Sequence, residues 1–162
     1  MKVVLLRILA PVLTLGLLAT ACVATSGDDQ ALFDKLVIEF SEAMQDYMAT
    51  PIPNSGDGLP SKAQLEDFWE EGDQRLTKLE EIADRIQRFS TKFPPEDQHF
   101  FKNLRAWTQA HREQANLLAP CYRDPTLWLQ CSLDVINANG LRWQRIGVDL
   151  TTSIAQITRE NG

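Results

Sequence analysis

Apolar side chains recur along this chain at intervals of three and four residues, and no segment alternates with a period of two. Spacing of that kind lines one face of an α-helix, whereas a half-buried strand needs alternation. Phe33, Val37, Phe40, Met44 and Tyr47 fall at 4-3-4-3 spacing and predict a helix over about 28–49. Leu65, Phe68/Trp69, Gly72, Leu76, Leu79, Ile82/Ala83, Ile86 and Phe89 continue a stripe over about 62–91. Ser61 with Gln64 three residues on opens it as a capping box. Phe100/Phe101, Leu104, Trp107, His111, Ala115 and Leu118 mark a third helix. It is predicted to begin at Pro95-Glu96-Asp97, where acids meet the positive end of the helix dipole. The fourth is expected over about 124–159, with Asp124 as N-cap and Pro125 at the first helical position. Its stripe runs through Trp128, Cys131, Val135, Trp143, Ile146, Leu150, Ile154 and Ile157.

Proline removes a helical hydrogen bond and clashes with the preceding turn, so it marks boundaries. Beyond residue 26 the prolines fall only at 51, 53, 60, 94, 95, 120 and 125, which are the three junctions between these segments. Short connections favour antiparallel neighbours, and the expected fold is all-α, a four-helix up-and-down bundle. One local conflict stands out. Asn137-Ala138-Asn139-Gly140 gathers weak helix formers in the middle of the last segment. Unbroken, that helix would measure about 50 Å against about 33 Å for the first, so a kink or split near Gly140 is expected.

The first residues follow another pattern. Lys2 and Arg7 precede an apolar run from Ile8 to Ala21, and Ala19-Thr20-Ala21 places small residues just before Cys22. This is the layout of a secretory signal, and the run is short for a membrane span. Leu18-Ala19-Thr20-Ala21-Cys22 resembles a bacterial lipobox, with Ala19 standing where that motif usually has Leu. The resemblance covers this segment alone. It implies a signal peptide over 1–21, lipidation of Cys22 with palmitate-type acyl chains and a short tether over 22–27; the helical domain over 28–162 is read from the apolar stripes. The protein would then be anchored on the periplasmic side of a bacterial cell envelope. Val23 after the cysteine favours the outer membrane where the organism has one. The plainer reading is cleavage after Ala-x-Ala, which leaves Cys22 as a free thiol. With only Val23–Ser26 between anchor and first helix, the body would sit within about 15 Å of the bilayer.

Outside Cys22 the chain has an even pair, Cys121 and Cys131, expected to form a structural disulfide in an oxidising compartment. Two reduced buried thiols or a redox pair are the alternatives, although no Cys-x-x-Cys is present.

Charge narrows the partners. The 162 residues carry a net −6, which becomes −8 without Lys2 and Arg7, and this argues against nucleic acid. Residues 28–98 hold 17 acids and 7 bases, whereas residues 99–162 hold 5 acids and 7 bases. Glu66, Asp67, Glu70, Glu71 and Asp73 crowd the start of the second helix, and Arg85, Arg88 and Lys92 close it. That polarity suits the helix dipole, and the same five acids are the candidate face for a basic partner.

Catalytic chemistry has little footing. There is no Gly-x-Ser-x-Gly, and Gly56-Asp57-Gly58 lies in a proline-flanked connector without a phosphate-loop context. Glu96-Asp97-Gln98-His99 supplies one Glu-x-x-His, but Thr108 stands three before His111, so the paired di-iron pattern is incomplete. Met44 and Met48, one turn apart, read as core packing, and His111 as a core or boundary histidine. The four tryptophans, at 69, 107, 128 and 143, lie on or beside the apolar stripes. The 51–60 connector reads as a plain loop or an extended docking segment. No metal, cofactor or catalytic residue is expected. The expected function is a non-enzymatic, membrane-anchored adaptor or accessory lipoprotein that binds another envelope protein. An inhibitor or immunity protein that neutralises a basic hydrolase is the first alternative. A carrier with a small-ligand cavity between helices is the second.

Overall fold

Four α-helices form where the four apolar stripes lie: α1 (Gly27–Met48), α2 (Lys62–Gln87), α3 (Gln98–Leu118) and α4 (Trp128–Glu160). The computed structural model describes residues 27–49, 53 and 59–160, with side chains as far as Ile157. There is no strand among the described residues. The signal, Cys22, the Val23–Ser26 spacer and most of the 51–60 connector lie outside them.

Local chemistry sets the helix ends. Ser61 caps α2 as a reciprocal box: its Oγ accepts from Gln64 N at 3.2 Å, and Gln64 Oε1 accepts from Ser61 N at 2.8 Å. α2 stops four residues short of the expected end. Two 3-10 turns, Ser90–Lys92 and Pro95–Asp97, make the connection, and α3 starts at Gln98 after the Pro94-Pro95 break. Asp124 does not cap α4. Its Oδ1 accepts from Thr126 N at 2.9 Å and Thr126 Oγ1 at 2.7 Å, closing a separate turn, and α4 begins at Trp128.

The split expected near Gly140 is absent: α4 is a single helix of 33 residues, and the slight bend of the bundle lies in α2. Two contacts hold the weak stretch helical. Asn139 Nδ2 donates to the Val135 carbonyl one turn back at 2.9 Å, sharing the acceptor of the backbone ladder, so its amide is satisfied within the helix. Just beyond it Arg142 binds Glu113 of α3 at 2.8 Å. Tertiary packing overrides propensity here.

Cross-helix bonds show the up-down-up-down order. Asp29 meets Lys92 at 2.7 Å, Glu39 meets Arg85 at 3.5 Å and Asp46 meets Arg75 at 3.7 Å, so α1 and α2 are antiparallel. Gln87 reaches the Phe101 carbonyl at 2.6 Å, and Asn103 reaches Ser153 at 2.6 Å, which fixes α3 against α2 and α4. The closely packed neighbours are α1–α2, α2–α3 and α3–α4. Between them Phe33 lies 4.4 Å from Phe93 and 5.8 Å from Phe89, ring centre to ring centre. Leu79, Ile86, Leu104 and Leu150 complete this main core.

The register has one large consequence. Because Asp46 lies opposite Arg75, α1 ends at Met48, two residues past that level, while α2 starts at Lys62, eleven residues or about 16 Å further along. Among the described residues, the end of the bundle away from Gly27, called distal below, is therefore built mainly from α2, α3 and α4. A second, smaller core fills it, with Leu65, Leu118, Cys121 and Tyr122 buried and Phe68, Trp69, Trp128, Cys131 and Val135 packed around them.

Candidate partner surface at the distal end

Along α4, Leu129, Leu133, Ile136, Gly140, Trp143, Gly147, Leu150, Ile154 and Ile157 recur at alternating intervals of four and three. A seven-residue repeat of this kind keeps one seam facing a neighbouring helix over its whole length. The seam divides by burial. Trp143, Leu150, Ile154 and Ile157 are 8%, 1%, 6% and 2% exposed, whereas Leu129, Leu133 and Ile136 are 51%, 44% and 42% exposed. The buried half shares the main core with Phe33, Leu36, Val37 and Phe40 of α1. At the level of the exposed half α1 has already ended. Leu141 and Val148, also exposed, widen the apolar strip along one flank. Single exposed leucines are ordinary, but a contiguous row marks an interaction surface.

The opposite side of the same helix turns inward and holds this surface in place. Trp128, Cys131 and Val135 pack on the distal core, and the Cys121 and Cys131 sulfurs lie at bonding distance, 2.04 Å. Trp69 and Phe68 meet the Tyr122 ring at 5.4 and 5.5 Å. Two of the four tryptophans, Trp69 and Trp128, thus sit half-buried at the distal end, while Trp107 and Trp143 are core.

The five acids of the candidate face divide among three tasks. Asp73 is drawn into the bundle by Arg112 of α3. Glu66 pairs with Lys62 at 3.5 Å and Glu71 with Arg75, both within α2. Asp67 and Glu70 are exposed and make no ion pair among the described residues. Asp67, Glu71 and Arg75 stand at four-residue intervals on one line, and Arg75 binds Asp46 of α1. That line therefore lies on the side of α2 that faces α1. Glu66 and Glu70 are rotated toward the α3 side.

Other candidates are absorbed by structure. His111 stacks on Trp107 at 4.0 Å and meets Tyr47 edge-on at 5.5 Å. Burial lowers its pKa to about 4, so the imidazole is neutral at ordinary pH. His99 Nδ1 donates to the Glu96 carbonyl at 2.6 Å, a bond from the start of α3 back to the 3-10 turn before it. No three His, Cys, Asp or Glu side chains cluster in metal-holding geometry among the described residues. Met44 packs on the main core and Met48 is exposed. A groove of about 710 Å³ runs between α2 and α3, lined by Glu80, Asp84, Arg105, Thr108, Arg112 and Glu113. It is open and lined by charged side chains, of which Glu80 and Arg112 pair with each other, unlike the enclosed apolar cavity that ligand carriers use. No described helix is long and apolar enough to cross a membrane.

Two features escaped the sequence reading. Arg112 clamps α2 to α3 through Nε–Glu80 at 2.9 Å, Nη2–Glu80 at 2.6 Å and Nη2–Thr77 at 3.0 Å, in addition to Asp73. Its signal was Asp73, Thr77 and Glu80 at four- and three-residue spacing on one face of α2. The exposed α4 seam was legible as a repeat, but the inward stripe through Trp128, Cys131 and Val135 masked it. Set beside known proteins, the chain matches no family model, no curated protein and no solved structure, so its function is argued from its own residues.

Proposed function

We propose that this chain is a non-enzymatic envelope lipoprotein, held to a membrane through Cys22 after removal of residues 1–21, that binds another envelope protein with its distal end. The reading rests on one observation above others. The apolar seam of α4 is buried on the side of Gly27 and exposed at the opposite end of the bundle. An anchor just before α1 leaves that end pointing away from the bilayer, where a partner can reach it. Affinity would come from Leu129, Leu133 and Ile136, with the half-buried Trp69 and Trp128 beside them, because large apolar side chains with a polar rim dominate interfaces.

Co-purification from solubilised membranes tests this. The anchored protein should bring down about one equivalent of one other protein, as a stable interface requires. Leu133→Asp with Ile136→Asp should abolish the recovery, whereas Thr152→Asp with Gln156→Asp, exposed positions on the same helix, should retain it. Recovery of no partner by the unaltered chain, or equal recovery by both variants, contradicts the reading.

A second reading, an inhibitor of a basic hydrolase, is favoured by Asp67 and Glu70, which are exposed and make no ion pair among the described residues. It requires that reversing both to Lys slow association in a salt-dependent way. Equal rates for both forms would discard it.

A further inference from the structure

The last turn of α1 is seated on α2 through Asp46 and on α3 through Tyr47. Arg75 Nη1 donates to the Asp46 carbonyl at 3.1 Å, and its Nε lies 3.7 Å from the Asp46 carboxylate. The Tyr47 ring meets His111 edge-on at 5.5 Å and Trp107 at 6.4 Å, while His111 stacks on Trp107 at 4.0 Å. In this wedge His111 Nδ1 is shut off from water and has no hydrogen-bond partner among the described residues. A neutral imidazole tolerates that at modest cost. An imidazolium does not, because both ring nitrogens then carry N–H and Nδ1 becomes a charged donor without an acceptor. This holds for either tautomer of the neutral ring. The charged groups on the surrounding helices are committed elsewhere. Arg112, next in the chain, is itself a cation, and the Glu80 and Asp73 carboxylates of α2 are bound to it. On α4, Arg142 is bound to Glu113 at the surface. Tyr47 and Tyr122, the latter in the turn before α4, are phenols whose pKa burial raises, so both stay neutral.

We infer that the Tyr47–His111 contact is an acid-released latch: when the imidazole takes up a proton, Tyr47 leaves the wedge and the last turn of α1 comes off α3, while the rest of the bundle stays folded. Of the two walls that enclose His111, Trp107 is buried in the middle of α3, whereas Tyr47 is half-buried in a terminal turn. Helix ends open at lower cost than helix interiors, so Tyr47 is the wall that yields. The lowered pKa of His111 is the same effect in thermodynamic form, since the proton binds more tightly once the ring meets water. The device does not depend on what the distal end binds.

Tyrosine itself supplies the probe. The chain has two tyrosines, Tyr47 and Tyr122, so the full-length chain labelled with 3-fluorotyrosine and purified in detergent gives two fluorine NMR signals, assigned by Tyr47→Phe. From pH 7 to pH 4 the Tyr47 signal should move toward its position in urea, while the Tyr122 signal keeps its folded position. The ratio of released to docked Tyr47 should rise about a hundredfold over that range, as a pKa lowered from 6.5 to about 4 requires. In His111→Phe, which fills the wedge without a titrating group, the ratio should change less than about threefold. His111→Leu serves instead if the Phe variant does not show both folded signals at pH 7. A Tyr47 signal that stays in place down to pH 4 overturns the inference, as does one that moves only together with that of Tyr122. An unchanged transition in the His111 variant overturns it too, because the carboxylates would then be its cause.

Discussion

His111 shows how a single side chain ties stability to pH in this molecule. It is wedged between Trp107 and Tyr47, where α1 and α3 meet at the last turn of α1. Burial lowers its pKa to about 4, below the ordinary value of 6.5, so the unfolded chain takes up the proton first as pH falls. Its contribution is complete above pH 6.5 and is lost as pH drops toward 4, about 3 kcal/mol over that window. Denaturant titrations at pH 7 and pH 4 should therefore show a smaller acid loss for His111→Phe than for the unaltered chain. Parallel losses would mean that the imidazole is not excluded from water as described. Arg112 matters differently. Its guanidinium gathers Glu80, Asp73 and Thr77 across the α2–α3 contact, and such forked pairs to two carboxylates hold geometry better than isolated surface pairs do.

At the scale of elements, α4 carries the main correction and the main prediction. Asn137 to Gly140 read as a breaker by propensity, yet the helix passes through it because Asn139 is satisfied one turn back and Arg142 is held by Glu113. If Gly140 serves no turn, its flexibility is a cost to the fold alone. Gly140→Ala should then stabilise the chain by about 0.5–1 kcal/mol and raise Tm by about 2–5 °C, since the added methyl has only ordinary contact with Ile136. A lower Tm in calorimetry would place a kink or a close neighbour at Gly140 after all. The four helices themselves were legible because each amphipathic stripe is bounded by proline or a cap, as Ser61 and Gln64 illustrate. Their ends were less so: α2 and α3 lose residues to 3-10 turns, and Asp124 closes its own turn with Thr126 before α4 begins. Those outcomes depend on competition among nearby hydrogen bonds, which residue type alone does not settle. The Cys121–Cys131 pair was legible from its even count. It staples the turn before α4 to the helix, and a bridge over a loop this short is worth about 2–3 kcal/mol on the chain-entropy model.

For the whole molecule, the decisive quantity is relative helix length, which no single stripe reveals. α1 has 22 residues and α4 has 33, so among the described residues four helices lie near Gly27 and three at the other end. The candidate acidic face looked continuous in sequence, but the structure distributes it: Asp73 to Arg112, Glu71 to Arg75, and Asp67 to solvent. What sequence could not supply was the end of α1 relative to α4, because that depends on the pairing of Asp46 with Arg75 across the fold. The central claim is that the distal half of the α4 seam is a docking surface. A photo-crosslinking scan along α4 in living cells, placing the probe in turn at Leu129, Leu133, Ile136, Thr152 and Gln156, tests it most directly. One and the same protein captured from the first three positions, and nothing from the last two, is the predicted result. Capture spread evenly over all five, or confined to Thr152 and Gln156, would contradict it.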